Sequence, residues 1–288
     1  MHERLAGMVL AAGHGTRMRS NMPKLLHNLL GKKLLEYPLR LLEELGCARQ
    51  VVVAGAGADQ VQEAFHSWEG SPIEWAFQDP PLGTGDAVRV GLEALGSWDG
   101  PLVILNGDLP LLSGETVRSL VATHHQEQAD FTLLSLERSN PQGYGRLLRD
   151  AQGEILAVVE EADATPEERA ICEINGGVYV ADAEALSAGL KECMKAGAGN
   201  AQGEIYLPPV LGPIRNAGGK ISAWQLASDR QDELQQVNSR SDLASASSIR
   251  RRQICDALLE NGVTIVDPAL TYIEEDVEIG QDTVILPF

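Results

Sequence analysis

Two short stretches carry residue types that could handle a charged phosphate. The first is Leu10-Ala11-Ala12-Gly13-His-Gly15-Thr16-Arg17-Met18-Arg19, with Pro23-Lys24 close behind. Glycines let backbone amides approach a phosphate closely, and Arg17 and Lys24 add two fixed cations. The loop is no dinucleotide fingerprint, because Met18 stands at the third glycine position, and no Walker A loop, because no Gly-Lys-Ser/Thr follows. A plain strand-to-helix turn that needs glycine is the competing reading, and an ordinary surface lysine competes at Lys24. The second stretch is Asn106-Gly107-Asp108. One carboxylate at a strand end suffices for Mg²⁺ when substrate phosphates complete the shell, although Asp108 could equally cap the next helix. Gly83-Thr84-Gly85 adds an amide-rich corner with no side chain to obstruct a flat base. His14, His27, His124 and His125 show no metal spacing, and solvated or satisfied roles suit them better.

The cations stand out because the 288-residue chain has 41 Asp plus Glu against 23 Lys plus Arg, a net charge of −18. Such a field repels phosphodiester backbones and anionic lipid, which argues against nucleic-acid and membrane partners. Arg250-Arg-Arg252 therefore reads as a solvated or interface face. Cys47, Cys172, Cys193 and Cys255 form no Cys-x-x-Cys pair, so four reduced thiols in a cytoplasmic protein are expected. The start resembles a signal peptide only superficially, and no apolar run reaches the roughly 18 residues of a membrane span.

The elements that must position these residues alternate. Met8–Ala12, Gln50–Ala54, Ile73–Phe77 and Leu102–Leu105 are apolar strand candidates, with helical spacing over Leu34–Leu45, Ala58–Trp68 and Thr84–Leu95. Apolar strands alternating with helices imply a mainly parallel α/β sheet covered on both faces, with ligands beyond the strands' carboxyl ends. The middle third differs: Asp130–Leu136, Gly145–Leu148, Ile155–Glu160 and Gly177–Val180 are short strand candidates between polar turns, which suits a partly antiparallel lid. Ser239 to Asn261 holds no Pro or Gly and is stopped by Gly262, the pattern of a long connecting helix. Ile273, Ile279 and Ile285 then recur every six residues, a hexapeptide period that suits either a parallel β-helix or an alternating edge strand.

Taken in order, Leu10 to Met18, Pro23-Lys-Leu-Leu-His27, Gly31-Lys32, Gln78 with Leu82-Gly-Thr-Gly85, Gly107-Asp-Leu-Pro110, Gly143-Tyr-Gly-Arg146, Glu173-Ile-Asn175 and Asn200-Ala-Gln-Gly-Glu204 resemble the sugar-1-phosphate nucleotidyltransferases. Within them the chain is most similar to the uridyltransferase half of the bifunctional uridyltransferase/acetyltransferases. The resemblance implies a Rossmann-like nucleotidyltransferase domain over residues 1–238 with an antiparallel sugar-binding lid. A connector helix over 239–262 and the truncated start of a left-handed parallel β-helix over 263–288 would follow. It implies Mg²⁺-dependent transfer from UTP to N-acetylglucosamine 1-phosphate in the cytoplasm, yielding UDP-N-acetylglucosamine for envelope precursors. Leu10, Ala11, Ala12, Gly13 and Lys24 would contact the nucleotide, with Gly15, Thr16 and Arg17 on the phosphate side. Gln78, Gly83 and Thr84 would read uracil, and Asp108 and Asn238 would hold Mg²⁺. Gly145, Glu160 and Asn175 would bind the sugar, with Asn106 and Gly107 beside it. Arg17, Lys24 and Asp108 would carry the catalysis.

Four positions depart from the family pattern. Asn106 replaces a frequent aromatic, Asp86 a frequent His, Gly176 a usual Thr, and Pro208-Pro209 ends a stretch that often reads Thr-Asp. Gly176 removes a hydroxyl near the sugar, so glucose 1-phosphate with UTP or dTTP is the alternative pair. A non-catalytic sugar-nucleotide sensor is the alternative from another class. No acetyltransferase activity is expected of this chain, and any homo-oligomer would form through the C-terminal segment.

Overall fold

The computed structural model describes residues 4–13, 15–197 and 203–287. His14 and Asn200 to Gln202 lie outside the described residues. The first strand, β1 (Ala6–Ala11), feeds the glycine loop, whose 3₁₀ turns are Thr16–Met18 and Lys24–Leu26. A small hairpin follows, β2 (Asn28–Leu29) and β3 (Lys32–Lys33), then α1 (Glu36–Glu44), β4 (Arg49–Ala54), α2 (Ala58–Ala64), β5 (Ile73–Phe77), α3 (Thr84–Leu95) and β6 (Pro101–Asn106). The expected helix over 58–68 stops at Ala64, four residues short of Trp68, whose indole instead donates to the Ser71 carbonyl at 3.1 Å in the following turn.

After β6 come α4 (Gly114–Glu127), β7 (Phe131–Glu137), β8 (Arg146–Arg149), β9 (Ile155–Val159), α5 (Pro166–Arg169), β10 (Glu173–Asp182), α6 (Ala183–Ala196), α7 (Leu211–Asn216) and β11 (Ile221–Leu226). The main sheet runs β11-β7-β10-β6-β1-β4-β5. Strands β6, β1, β4 and β5 are mutually parallel, whereas β10 is antiparallel to both β6 and β7. The antiparallel character expected of the middle third is present in the β8–β9 pair and its junction with β10. Strand β7 and most of β10, whose residues were expected in that lid, are instead strands of the main sheet.

Alternation splits the core between the two faces of this sheet, as period-two side chains must. Val9, Val52, Val103 and Leu105 join Leu39 and Leu42 of α1 and Leu120 of α4 on one face. Met8, Val51, Val53, Leu102 and Ile104 join Val88 of α3, Leu186 of α6 and Ile214 of α7 on the other. Each fully buried Leu or Val stabilises the fold by roughly 1.5–3 kcal/mol, so the strand ends carrying the site are firmly held. Cys47, Cys172, Cys193 and Cys255 are free thiols. No helix among the described residues is long and apolar enough to cross a membrane.

The long helix α8 spans Arg240–Glu260 and starts at a reciprocal cap between Ser239 and Asp242. Beyond it, β12 (Thr264–Ile265) and β13 (Val284–Ile285) pair in parallel. Ile265 and Ile273 pack with Cys255 of α8 in a third apolar cluster that Ile279 and Ile285 flank. This segment is tied back to the β2–β3 hairpin. The buried Lys32 ammonium lies 3.0 Å from Glu275 and 2.7 Å from Asp276, and Arg250 pairs with Glu275.

Candidate functional site

The parallel strands β1, β4, β5 and β6 bring their carboxyl ends to one edge of the sheet, the edge at which open parallel sheets bind ligands. The loop after β1 turns at Gly15, whose φ of 60° is the left-handed conformation that glycine adopts most readily. A side chain there would come within 2.8 Å of Lys24 Cβ, so the loop and the lysine are packed against each other.

Lys24 is not an ordinary surface lysine. Its ammonium donates to Asp108 Oδ2 at 2.7 Å and to Asn238 Oδ1 at 2.9 Å, with 11% of its side chain exposed. Asp108 is not a helix cap either, since Ser113 caps α4 by accepting from the Thr116 amide. Two backbone bonds bring the three segments together: Gly107 N–H donates to the Leu10 carbonyl at 2.9 Å, and Val237 N–H to the Asp108 carbonyl at 2.9 Å. Asn238 is held just ahead of α8 by its amide, which donates to Asp242 Oδ2 at 3.0 Å. Asp108 Oδ1 is buried without a hydrogen-bond partner among the described residues. A spare carboxylate oxygen beside an amide oxygen is a hard-oxygen donor set, the kind Mg²⁺ prefers. Arg17 and Thr16 lie exposed on the 3₁₀ turn, and Arg17 makes no ion pair among the described residues.

The second corner lies where β5 ends. Gln78 is buried, and its Nε2 donates to the Gly83 carbonyl at 3.0 Å and to Asp86 Oδ2 at 2.8 Å. Residues 205–207 run along this loop: Ile205 N–H donates to the Leu82 carbonyl and Gly85 N–H to the Ile205 carbonyl, both at 2.7 Å, while Leu207 N–H donates to Thr84 Oγ1 at 3.0 Å. A side chain at Gly83 would strike the Ile205 carbonyl at 2.6 Å, which accounts for glycine at that position. The two residues the sequence reading missed here are Asp86, seen only as a departure, and Ile205. Their signals were a carboxylate three residues before Arg89 on a helix, and the Gly83/Gly85 pair that admits a passing backbone.

The third corner gathers Gly145, Glu160 and Asn175. Asn175 N–H donates to the Gly145 carbonyl at 2.9 Å, and its Nδ2 to Tyr179 Oη at 2.7 Å. A side chain at Gly145 would meet Glu160 Oε1 at 3.2 Å. Burial, then the neighbouring Asp163 carboxylate, push the Glu160 acid above the usual carboxylate range, against the pull of Arg146. The register shifts between Asn175 and Tyr179, where β10 bulges. Asn106 Nδ2 fills the space a side chain on Gly177 would need, 2.7 Å from that position. At Gly176 a side chain would come within 3.0 Å of both the Leu134 carbonyl and Leu234 Cδ1. Leu234 and the Leu134 carbonyl therefore crowd the place a β-carbon at this position would take. Among the described residues no group of three or more His, Cys, Asp or Glu side chains converges as a metal cluster.

Comparison with known proteins identifies the family. Residues 7–173 match the family of MobA-like NTP transferase domains, a span that includes the loop, Lys24, Gln78, Asp108, Gly145 and Glu160 but ends before Asn175 and Asn238. The chain is 44% identical over 285 residues to the bifunctional protein GlmU of Caldanaerobacter subterraneus, covering 99% of this chain and 60% of that protein. It is 43% identical over 290 residues to the bifunctional protein GlmU of Syntrophotalea carbinolica, again covering 99% and 60%. The chain thus spans about 60% of the length of these relatives. A crystal structure of a putative glucose-1-phosphate thymidylyltransferase from Bacillus anthracis in complex with a sucrose has the same fold. Its TM-score is 0.68 at 16% identity, over 85% of this chain and 94% of that one.

Proposed function

The chain belongs to the family of MobA-like NTP transferase domains and is a nucleotidyltransferase; from that premise we propose that it joins UTP to N-acetylglucosamine 1-phosphate, giving UDP-N-acetylglucosamine and pyrophosphate. The observation that carries the reading is the Lys24 ammonium seated between Asp108 and Asn238 at the strand ends. Similarity to the bifunctional GlmU proteins over nearly the whole chain supports the choice of sugar and base.

The attacking phosphate oxygen is already anionic at neutral pH, so the reaction needs no general base and no covalent enzyme intermediate. A bond forms from that oxygen to the α-phosphorus of UTP, and the bridge to the β-phosphorus breaks with its electron pair leaving on pyrophosphate. What the protein must supply is alignment and relief of charge repulsion. The amides of Leu10 to Gly13 and of Gly15 and Thr16 would hold the triphosphate, with Arg17 and Lys24 countering its charge. Asp108 and Asn238 fit a Mg²⁺ ion, and Asp108 Oδ1 is the spare oxygen for it. When bound, Mg²⁺ neutralises phosphate charge and stabilises the leaving pyrophosphate. Lys24 would then exchange its carboxylate and amide partners for phosphate oxygens. Gln78, Gly83 and Thr84 would face uracil. Gly145, Glu160 and Asn175 would orient the sugar, with Asn106 and Gly107 beside it.

The same reading divides the chain into a nucleotidyltransferase domain over 1–238, a connector helix over 239–262 and the first coil of a left-handed β-helix over 263–288. The parallel β12–β13 pair supports the last of these. It also puts the chain in the cytoplasm, with any self-association through the C-terminal segment. Pyrophosphate release with Mg²⁺ tests the reading, using UTP, dTTP and CTP in turn against N-acetylglucosamine 1-phosphate and glucose 1-phosphate. Release with UTP and N-acetylglucosamine 1-phosphate is expected. Release with glucose 1-phosphate alone would move the sugar assignment, and silence from folded protein in every combination would leave a sensor.

A further inference from the structure

A glutamine amide can sit either way round, because its carbonyl and NH₂ ends have nearly the same shape and only hydrogen-bond partners choose between them. At Gln78 the partners do choose. Nε2 donates to the Gly83 carbonyl and to Asp86 Oδ2, both of which only accept, and two protons are all that an amide nitrogen carries. Asp86 is 2% exposed, and its other oxygen, Oδ1, is taken by Arg89, with Nε at 2.9 Å and Nη2 at 2.8 Å. With one oxygen on the guanidinium and the other on the amide, Asp86 has nothing to offer a reversed Gln78, whose carbonyl would face a carboxylate and a second carbonyl. Oε1 accepts from no described residue and keeps its full capacity.

We infer that Asp86, braced by Arg89, is a positioning residue that locks Gln78 with Oε1 as the atom presented to the nucleotide base, so that the site selects bases carrying N–H at ring position 3. The inference rests on the proposed placement of Gln78 at the base. Uracil and thymine carry that N–H. Cytosine carries a lone pair there, which a carbonyl oxygen repels, whereas a reversed amide would present N–H and accept it. The cost of a mismatched buried acceptor is large enough to discriminate, since it leaves both groups unpaired. The lock ignores ring position 5, so uridine and thymidine nucleotides share it.

The test is calorimetric binding of UTP, CTP and N3-methyl-UTP to the full chain in Mg²⁺. The unaltered protein should bind UTP at least about tenfold more tightly than either of the others. Asp86→Asn replaces one acceptor by an NH₂. With Arg89 keeping the remaining oxygen, that NH₂ favours the reversed amide while the Gly83 carbonyl still favours the original one, so Gln78 is no longer held one way round and the UTP-to-CTP ratio should fall about tenfold or more. Arg89→Gln leaves Asp86 an acceptor and should preserve the ratio, which mere loosening of the loop would not do. An unchanged ratio in Asp86→Asn overturns the inference, as does N3-methyl-UTP binding as tightly as UTP. The methylated nucleotide decides by itself if Asp86→Asn does not fold. UTP binding without discrimination overturns this inference alone, whereas no UTP binding at all overturns the proposed function with it.

Discussion

The corners proposed to hold the phosphates and the sugar share one edge of the sheet but are built in different ways. At the first, side chains from three distant segments satisfy one another: the Lys24 ammonium holds Asp108 and Asn238, 84 and 214 residues away in sequence. At the second, the backbone of a bulged strand sets the shape, and Glu160 makes no ion pair among the described residues. A corner closed by charge opens to substrate by exchanging partners, so removing one member strands the others. A corner closed by shape waits with its polar groups in place, and removing one of them subtracts a contact. Losses at the first corner should therefore be large and fall on turnover, and losses at the second smaller and confined to one substrate.

The largest effect is expected from Asp108→Ala. It removes the one carboxylate at the cation site and should lower Mg²⁺-dependent turnover roughly 10³-fold while circular dichroism shows an intact fold. Normal turnover would remove the metal assignment and the contrast with it. Lys24→Ala should cost roughly 10²-fold, mainly through the response to UTP. It should also strengthen Mg²⁺ binding in calorimetry without nucleotide, because the ammonium no longer competes for Asp108 and Asn238. If only the sugar-phosphate response changed, Lys24 would belong to the other corner. Glu160→Gln should raise the KM for the sugar phosphate about tenfold with kcat nearly unchanged, an effect of about 1.4 kcal/mol. A comparable fall in kcat would mean that the two corners are not separate.

A fourth prediction probes the scaffold beneath both corners. His124 on α4 is buried with Nδ1 3.0 Å from Thr132 Oγ1 of β7, and burial, then the neighbouring His125, lower it from 6.5 to about 4. Its folded form binds a proton less readily than its unfolded form. The stability it lends is present above pH 6.5 and is lost as pH falls from 6.5 towards 4, by on the order of 3 kcal/mol. Thermal midpoints of the wild type should drop more steeply across that window than those of His124→Gln. Parallel curves would show that His124 is not what makes the sheet acid-sensitive.

The parallel half was legible because strands buried on both faces read as unbroken apolar runs, such as Val51-Val-Val53 and Leu102-Val-Ile-Leu105, closed by glycine loops. The other half was not. Strand β10 carries Gly176 and Gly177 at its bulge, so only its last residues looked like a strand. Strand β11, Ile221–Leu226, is half-buried and mixes polar and apolar residues, and α6 was not read at all. The residues proposed for the phosphate corner were nameable by resemblance, but no spacing could show that Lys24 bridges Asp108 and Asn238. The Asp86–Gln78 bond was hidden for another reason: a carboxylate in the first turn of a helix is ordinary, and only its burial against an amide makes it informative.

The proposed chemistry is transfer of a uridylyl group to a sugar phosphate by charge arranged at the strand ends. Phosphorus NMR of the purified chain with Mg²⁺, UTP and N-acetylglucosamine 1-phosphate tests it in one experiment. UDP-N-acetylglucosamine and pyrophosphate should appear in equal amounts, with no UDP and no orthophosphate. Orthophosphate or UDP as the main product, or an unchanged spectrum from folded protein that binds UTP, would contradict it.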